Sequence, residues 1–165
     1  MKAAILTALS CFFLSLSACE KIPVPLEQQE QEKPENNGQQ NGNENTQTMT
    51  MEITAGGKTI TATLSDNATA KALAEKLKSG SITVEMRANG FEHYGPLGFS
   101  LERNDKQVTA VSGDIMLYNG NNICVFYGSN SWSYTPLGKV DGKTADELKA
   151  FFGTGTVTVT YSLKQ

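Results

Sequence analysis

Gly113-Asp114-Ile115-Met116-Leu117-Tyr118-Asn119-Gly120-Asn121-Asn122-Ile123-Cys124-Val125-Phe126-Tyr127-Gly128 is the stretch that decides the fold class. Two short and nearly continuous apolar runs, Ile115–Tyr118 and Ile123–Tyr127, suit central strands. Between them Asn119-Gly120-Asn121-Asn122 has hairpin chemistry, because Asn and Gly accept the positive φ of a tight turn. Outward from this hairpin the pattern alternates. Ile60, Ala62 and Leu64 interleave with Thr59, Thr61 and Thr63, and Ile82, Val84 and Met86 interleave with Thr83, Glu85 and Arg87. Val157, Val159, Tyr161 and Leu163 interleave with Thr158, Thr160 and Ser162. A period of two with many β-branched residues predicts half-buried strands. Two helices interrupt them. Ala70, Leu73, Ala74 and Leu77 share one helical face between Asp66 and Gly80, and Thr144 with Glu147 forms a capping box ahead of Leu148, Phe152 and Gly153. Many short strands with two short peripheral helices predict a mainly β fold, a closed or nearly closed β-barrel. Gly153-Thr154-Gly155 leads into a strand instead of a helix, so it is no nucleotide loop.

The chain before this domain has a different character. Met1-Lys2, an apolar run from Ala3 to Leu16 and the small residues Ser17 and Ala18 read as a secretory signal, and the run is shorter than the roughly 20 residues of a membrane span. Leu16-Ser17-Ala18-Cys19 resembles the bacterial lipobox, whose cysteine is lipidated and becomes the new N-terminus. Residues 1–18 are therefore expected to be a lipoprotein signal peptide. Residues 19–48 are expected to be the lipidated Cys19 and a disordered tether, and 49–165 the folded domain. From Glu20 to Thr48 the chain is mostly Gln, Asn, Glu and Gly, too polar to offset the entropy of ordering. As a coil it reaches on the order of 30 Å. The expected location follows: export across the inner membrane and anchorage in the cell envelope, on the periplasmic face or the cell surface.

Charge and thiols exclude several classes. From Met49 onward eleven acids match eleven bases, and no basic cluster is present, so nucleic acid is an unsuitable partner. Loss of Cys11 with the signal and lipidation of Cys19 leave Cys124 as one free thiol without a disulfide partner. In its apolar run Cys124 is a small core residue.

The block Gly113–Tyr118, then Cys124-Val125-Phe126-Tyr127-Gly128, then Leu137-Gly138-Lys139-Val140 resembles the bacterial cyclophilin-like domain family. Upstream, Thr59–Asn67 ahead of a helix and Glu92-x-Tyr94 after the next strand fit the same pattern. The resemblance spans the whole domain and implies a barrel of about eight strands capped by helices. Classical cyclophilins isomerise X-Pro bonds with an arginine on a Phe-His-Arg segment. No such segment occurs here, where Arg87 and Arg103 are the only arginines, so no catalytic residue is assigned.

His93 is the only histidine, too little for common zinc sets, and no Gly-x-Ser-x-Gly elbow supports a triad. His93 is expected to be an exposed or capping loop residue, and no metal or cofactor is expected. Glu92 becomes an acid or base if a cleft desolvates it, and otherwise is a paired surface carboxylate. The stronger feature is aromatic: Phe91, Tyr94 and Phe99 fall in one Gly/Pro-rich loop, Trp132 and Tyr134 in another. Rings on polar loops either cap the barrel or line a groove. The favoured expectation is a ligand site of Phe91, Glu92, Tyr94, Phe99, Trp132 and Tyr134 for a peptide or small molecule. The chain is then a membrane-anchored binding module. A peptidyl-prolyl isomerase of envelope proteins is the alternative and a structural accessory a third. Its oligomeric state is not legible.

Overall fold

A computed structural model describes residues 48–164. The expected signal peptide, Cys19 and the tether up to residue 47 lie outside the described residues. The elements run β1 (Thr50–Ala55), β2 (Lys58–Leu64), α1 (Ala68–Lys78), β3 (Ile82–Ala88), β4 (Glu92–Pro96), β5 (Lys106–Ala110), β6 (Asp114–Tyr118), β7 (Asn122–Phe126), β8 (Asn130–Val140), α2 (Ala145–Phe152) and β9 (Thr156–Leu163).

Every strand pair is antiparallel, in the order β2-β1-β9-β3-β4-β7-β6-β8-β5. β8 also returns to β2 through Ala62↔Val140, Thr63↔Lys139 and Leu64↔Gly138. Eight strands thus close a ring, and β5 pairs outside it with the first half of β8. The mainly β class, the closed sheet and the two helices agree with expectation. The ring closes at Gly138, where a Cβ would stand 2.5 Å from the Thr63 carbonyl oxygen. Only a residue without a side chain lets β2 and β8 approach this closely.

Alternation along the strands sorts side chains into two cores. Met51, Ile53, Ala62, Val84, Ile115, Leu117, Ile123, Val125, Val159 and Tyr161 form the main core with Leu73 of α1 and Leu148 and Phe152 of α2. Met116, Cys124, Phe126 and Tyr134 point to the other face and build a smaller core with Ala110 of β5. Cover on both faces is why β6 and β7 read as continuous apolar runs. Their hairpin turns on Asn119 (φ 51°) and Gly120 (φ 77°), the positive angles that Asn-Gly supplies.

The helix ends carry the expected caps. Thr144 and Glu147 form the capping box, the Thr144 backbone N–H donating to Glu147 Oε2 at 2.8 Å. Asn67 caps α1 by accepting from the Ala70 N–H at 2.8 Å, and its amide donates to the Pro136 carbonyl at 2.9 Å, tying α1 to β8.

Two expectations are corrected. The segments around Tyr94 and Trp132 are strands, β4 and β8, where their Gly, Ser, Asn and Pro content reads as loop. In β4, Gly95 is required by packing, since a Cβ there would lie 2.4 Å from the Glu85 carbonyl oxygen. His93 is fully buried on the inner face of β4, not exposed on a loop, because it is the cross-strand partner of Val125 in the main core.

Candidate functional site

The outer face of the sheet carries an open cleft of about 340 Å³. β4 contributes Glu92 and Tyr94, which register places opposite Phe126 and Cys124 of β7. The first half of β8 adds Asn130, Trp132 and Tyr134, alternate residues that share one side of the strand. Asn89 and Phe91 from the β3–β4 turn and Tyr118 at the end of β6 complete the lining.

Five of the six residues singled out in the sequence therefore come together: Phe91, Glu92, Tyr94, Trp132 and Tyr134. Phe99 does not join them. It packs half-buried against the main core, with Lys76 Nζ 5.4 Å from its ring centre. Asn89, Tyr118 and Asn130 were missed. For Tyr118 a signal existed, because alternation with buried Leu117 turns it to the outer face.

The floor is a lattice of rings. Phe126 lies 5.5 Å from Tyr134 edge-on and 6.1 Å from Phe91 in a stack, and Tyr118 meets Tyr134 edge-on at 6.1 Å. Asn130 donates to the Tyr134 hydroxyl at 2.8 Å. Phe91 is held by its own carbonyl, which accepts from the Tyr127 and Gly128 N–H groups at 3.0 and 2.8 Å. A Cβ on Gly128 would fall 2.8 Å from the Phe91 Cβ, so that glycine sets the wall in place. Trp132 forms the outer wall and is 55% exposed.

Glu92 is the one charged side chain among the lining residues, and it is 94% buried, its exposure being 6%. It is not the paired surface carboxylate that its loop-like sequence context favours. Asn89 donates to Oε1 at 3.2 Å, while Oε2 is buried without a hydrogen-bond partner. Burial raises the Glu92 pKa above its ordinary 4.5, partly countered by the Asn89 amide and the neighbouring Cys124 thiol. Burial and the charge of Glu92 in turn push the Cys124 thiol far up, so it is no nucleophile at neutral pH. The Tyr127 hydroxyl donates to the Glu92 backbone carbonyl at 2.9 Å and fixes the start of β4.

His93 points away from the cleft. Its ring stacks on Phe152 at 5.2 Å and tilts against Tyr127 at 5.6 Å, and Nε2 donates to the Gly155 carbonyl at 3.0 Å. Nδ1 is buried without a partner and burial lowers the pKa from its ordinary 6.5, favouring the neutral ring, which joins β4 to the start of β9. Neither arginine lines the cleft. Arg103 is paired with Asp105, and Arg87 stands exposed across from Tyr94. Among the described residues no three of His, Cys, Asp and Glu cluster as metal ligands would.

A second depression, about 300 Å³ between β2 and α2, is lined by Lys58, Ile60 and Phe151 together with Lys143 and Glu147, which are paired with each other at 3.3 Å. It contains no unsatisfied buried group.

No curated protein matches the chain. A family model described as the cyclophilin-like family matches residues 53–162, which extend from β1 through β9 and include every residue of the cleft, and on that match the chain belongs to the cyclophilin-like family.

Proposed function

We propose that this domain is a binding module whose outer cleft takes an extended peptide segment or a small, partly apolar ligand, and that a lipid on Cys19 holds it at the membrane of the cell envelope. The observation that carries this is Trp132, a large ring left 55% exposed beside Tyr94, Tyr118 and Tyr134 at the mouth of an open cleft. An aromatic wall over a ring-lined floor offers contact area, and Asn89 and Asn130 offer the few polar contacts that orient a ligand. Trp132 is the only tryptophan, so titration of peptides against the full chain reads directly in its emission. Saturable shifts that Tyr94→Ala abolishes while its urea midpoint shows the fold retained support the reading, and a panel of peptides without any shift refutes it. Palmitate incorporation that persists in Cys19→Ser refutes the anchor.

One observation favours a second reading, peptidyl-prolyl isomerisation. Arg87 is the cross-strand partner of Tyr94 and so emerges beside the cleft, where a donor could meet a bound X-Pro segment. Exchange spectroscopy on X-Pro peptides tests it: catalysed exchange that disappears in Arg87→Ala supports the isomerase, and unchanged exchange removes it.

A further inference from the structure

We propose that the cleft selects a cationic N–H donor, a primary ammonium or guanidinium such as a lysine or arginine side chain, seated between the aromatic rings and drawn to Glu92. The inference rests on the cleft being a binding site and names the chemistry of its ligand.

Glu92 is the starting observation. A buried carboxylate normally has each oxygen hydrogen-bonded or paired, because an unmet charge in low dielectric is costly. Here one oxygen has only the Asn89 amide at 3.2 Å, and the other has no partner. Of the other polar groups near it, the Cys124 thiol is a weak donor and the Tyr134 hydroxyl makes no hydrogen bond to it. Among the described residues no cation pairs with the carboxyl: the cations nearest in register, Arg87 opposite Tyr94 and Lys106 opposite Tyr134, are exposed and outside the lining. Their charges are screened by water.

The rings that share the cleft with Glu92 supply the other half. Exposed Trp132 and half-buried Phe91, Tyr94 and Tyr118 present aromatic surface over the buried Tyr134, and the negative face of a ring attracts a cation. A neutral apolar ligand would fill the cleft and leave the carboxyl unmet. A quaternary ammonium would gain the ring faces but has no N–H to give. A primary ammonium or a guanidinium satisfies both. Glu92 is part of the cleft lining, with Oε1 held by Asn89 and Oε2 the oxygen left for the incoming donor.

The experiment follows Trp132 emission in the full chain during titration with n-butylammonium, tetramethylammonium and 1-butanol. A second pair of titrants, a blocked tripeptide with a central lysine and its norleucine analogue, separates a free amine from a peptide side chain. A charge-assisted hydrogen bond makes n-butylammonium and the lysine peptide bind roughly ten- to a hundredfold tighter than their neutral analogues. Glu92→Gln, which keeps the shape and removes the charge, is expected to collapse that preference to within about threefold of unity. Equal binding of charged and neutral members, or a preference that survives in Glu92→Gln, overturns the cation proposal and leaves the cleft as a neutral-ligand site. Absence of any response to all five titrants overturns the cleft reading as well. Should Glu92→Gln not fold, the lysine–norleucine comparison on the unaltered chain decides alone.

Discussion

Replacing Trp132 with alanine separates a cleft wall from a core cap. A tryptophan side chain carries on the order of 250 Å². With 55% exposed, the portion in contact with protein is roughly 110 Å², worth about 3 kcal/mol at ~25 cal/mol/Å². The alanine retains part of that surface, and a compact unfolded chain already covers some of it, which together bring the expected loss to about 1.5–2 kcal/mol. A fully buried ring would cost roughly 3–5 kcal/mol. Val108 of β5, which pairs outside the closed ring of strands, is the cross-strand partner of Trp132. The assay is a urea melt followed by far-UV dichroism, because the variant lacks the fluorophore. A lowered midpoint at unchanged slope, extrapolating to a loss under about 2 kcal/mol, is the expected result. A loss of 3 kcal/mol or more, or a blue-shifted and quencher-protected emission in the unaltered free protein, would place Trp132 in the core and refute the reasoning.

The glycines offer a matched pair. Gly138→Ala puts a Cβ 2.5 Å from a backbone oxygen at the seam where the ring closes. It should cost roughly 1–3 kcal/mol or more. Gly155→Ala meets nothing within 4 Å at an ordinary φ, so it should change stability by no more than about 1 kcal/mol and in the favourable direction. Equal losses in the two melts would contradict the seam argument. His93 predicts a pH dependence: burial holds its folded pKa below 6.5, so the unfolded chain binds the proton more readily. Its contribution is present above 6.5 and is lost as pH falls from there through the folded value. Denaturant midpoints of His93→Phe should lose that part of the acid slope. Glu92 acts in the opposite sense, because its raised folded pKa favours the protonated native state between 4.5 and that value. Between 4.5 and the raised Glu92 value, above the range where the lowered carboxyls of Asp105 and Glu147 lose stability, the slope that remains in His93→Phe should therefore show stability rising on acidification, and Glu92→Gln should remove it.

The elements with a strong period were legible at once. β2, β3 and β9 alternate polar with apolar residues because one face meets the core and the other meets water, and the β6–β7 hairpin announces itself through Asn119-Gly120. β4 and the first half of β8 were not. Glu92-His93-Tyr94-Gly95-Pro96 has low strand propensity and reverses the usual polarity, with a histidine turned inward and a carboxylate covered on the outer face. Such inversion depends on partners far along the chain: Phe152 and Gly155 for His93, Cys124 and Tyr134 for Glu92.

The same division runs through the site. That Phe91, Tyr94, Trp132 and Tyr134 stand out as rings in polar surroundings is a property of composition, readable from one strand of text. That they face one cleft follows from register, since Glu92 opposite Phe126 and Ala110 opposite Asn130 turn β4 and β8 the same way. Phe99 looked equivalent and was not, because its half of the loop runs back to α1, under Lys76. Composition and period therefore determined the class of fold, its central hairpin and the residue types available for recognition. Tertiary structure decided which of those residues meet and which carboxylate loses its water, because both depend on strand pairings between positions that local propensity does not relate.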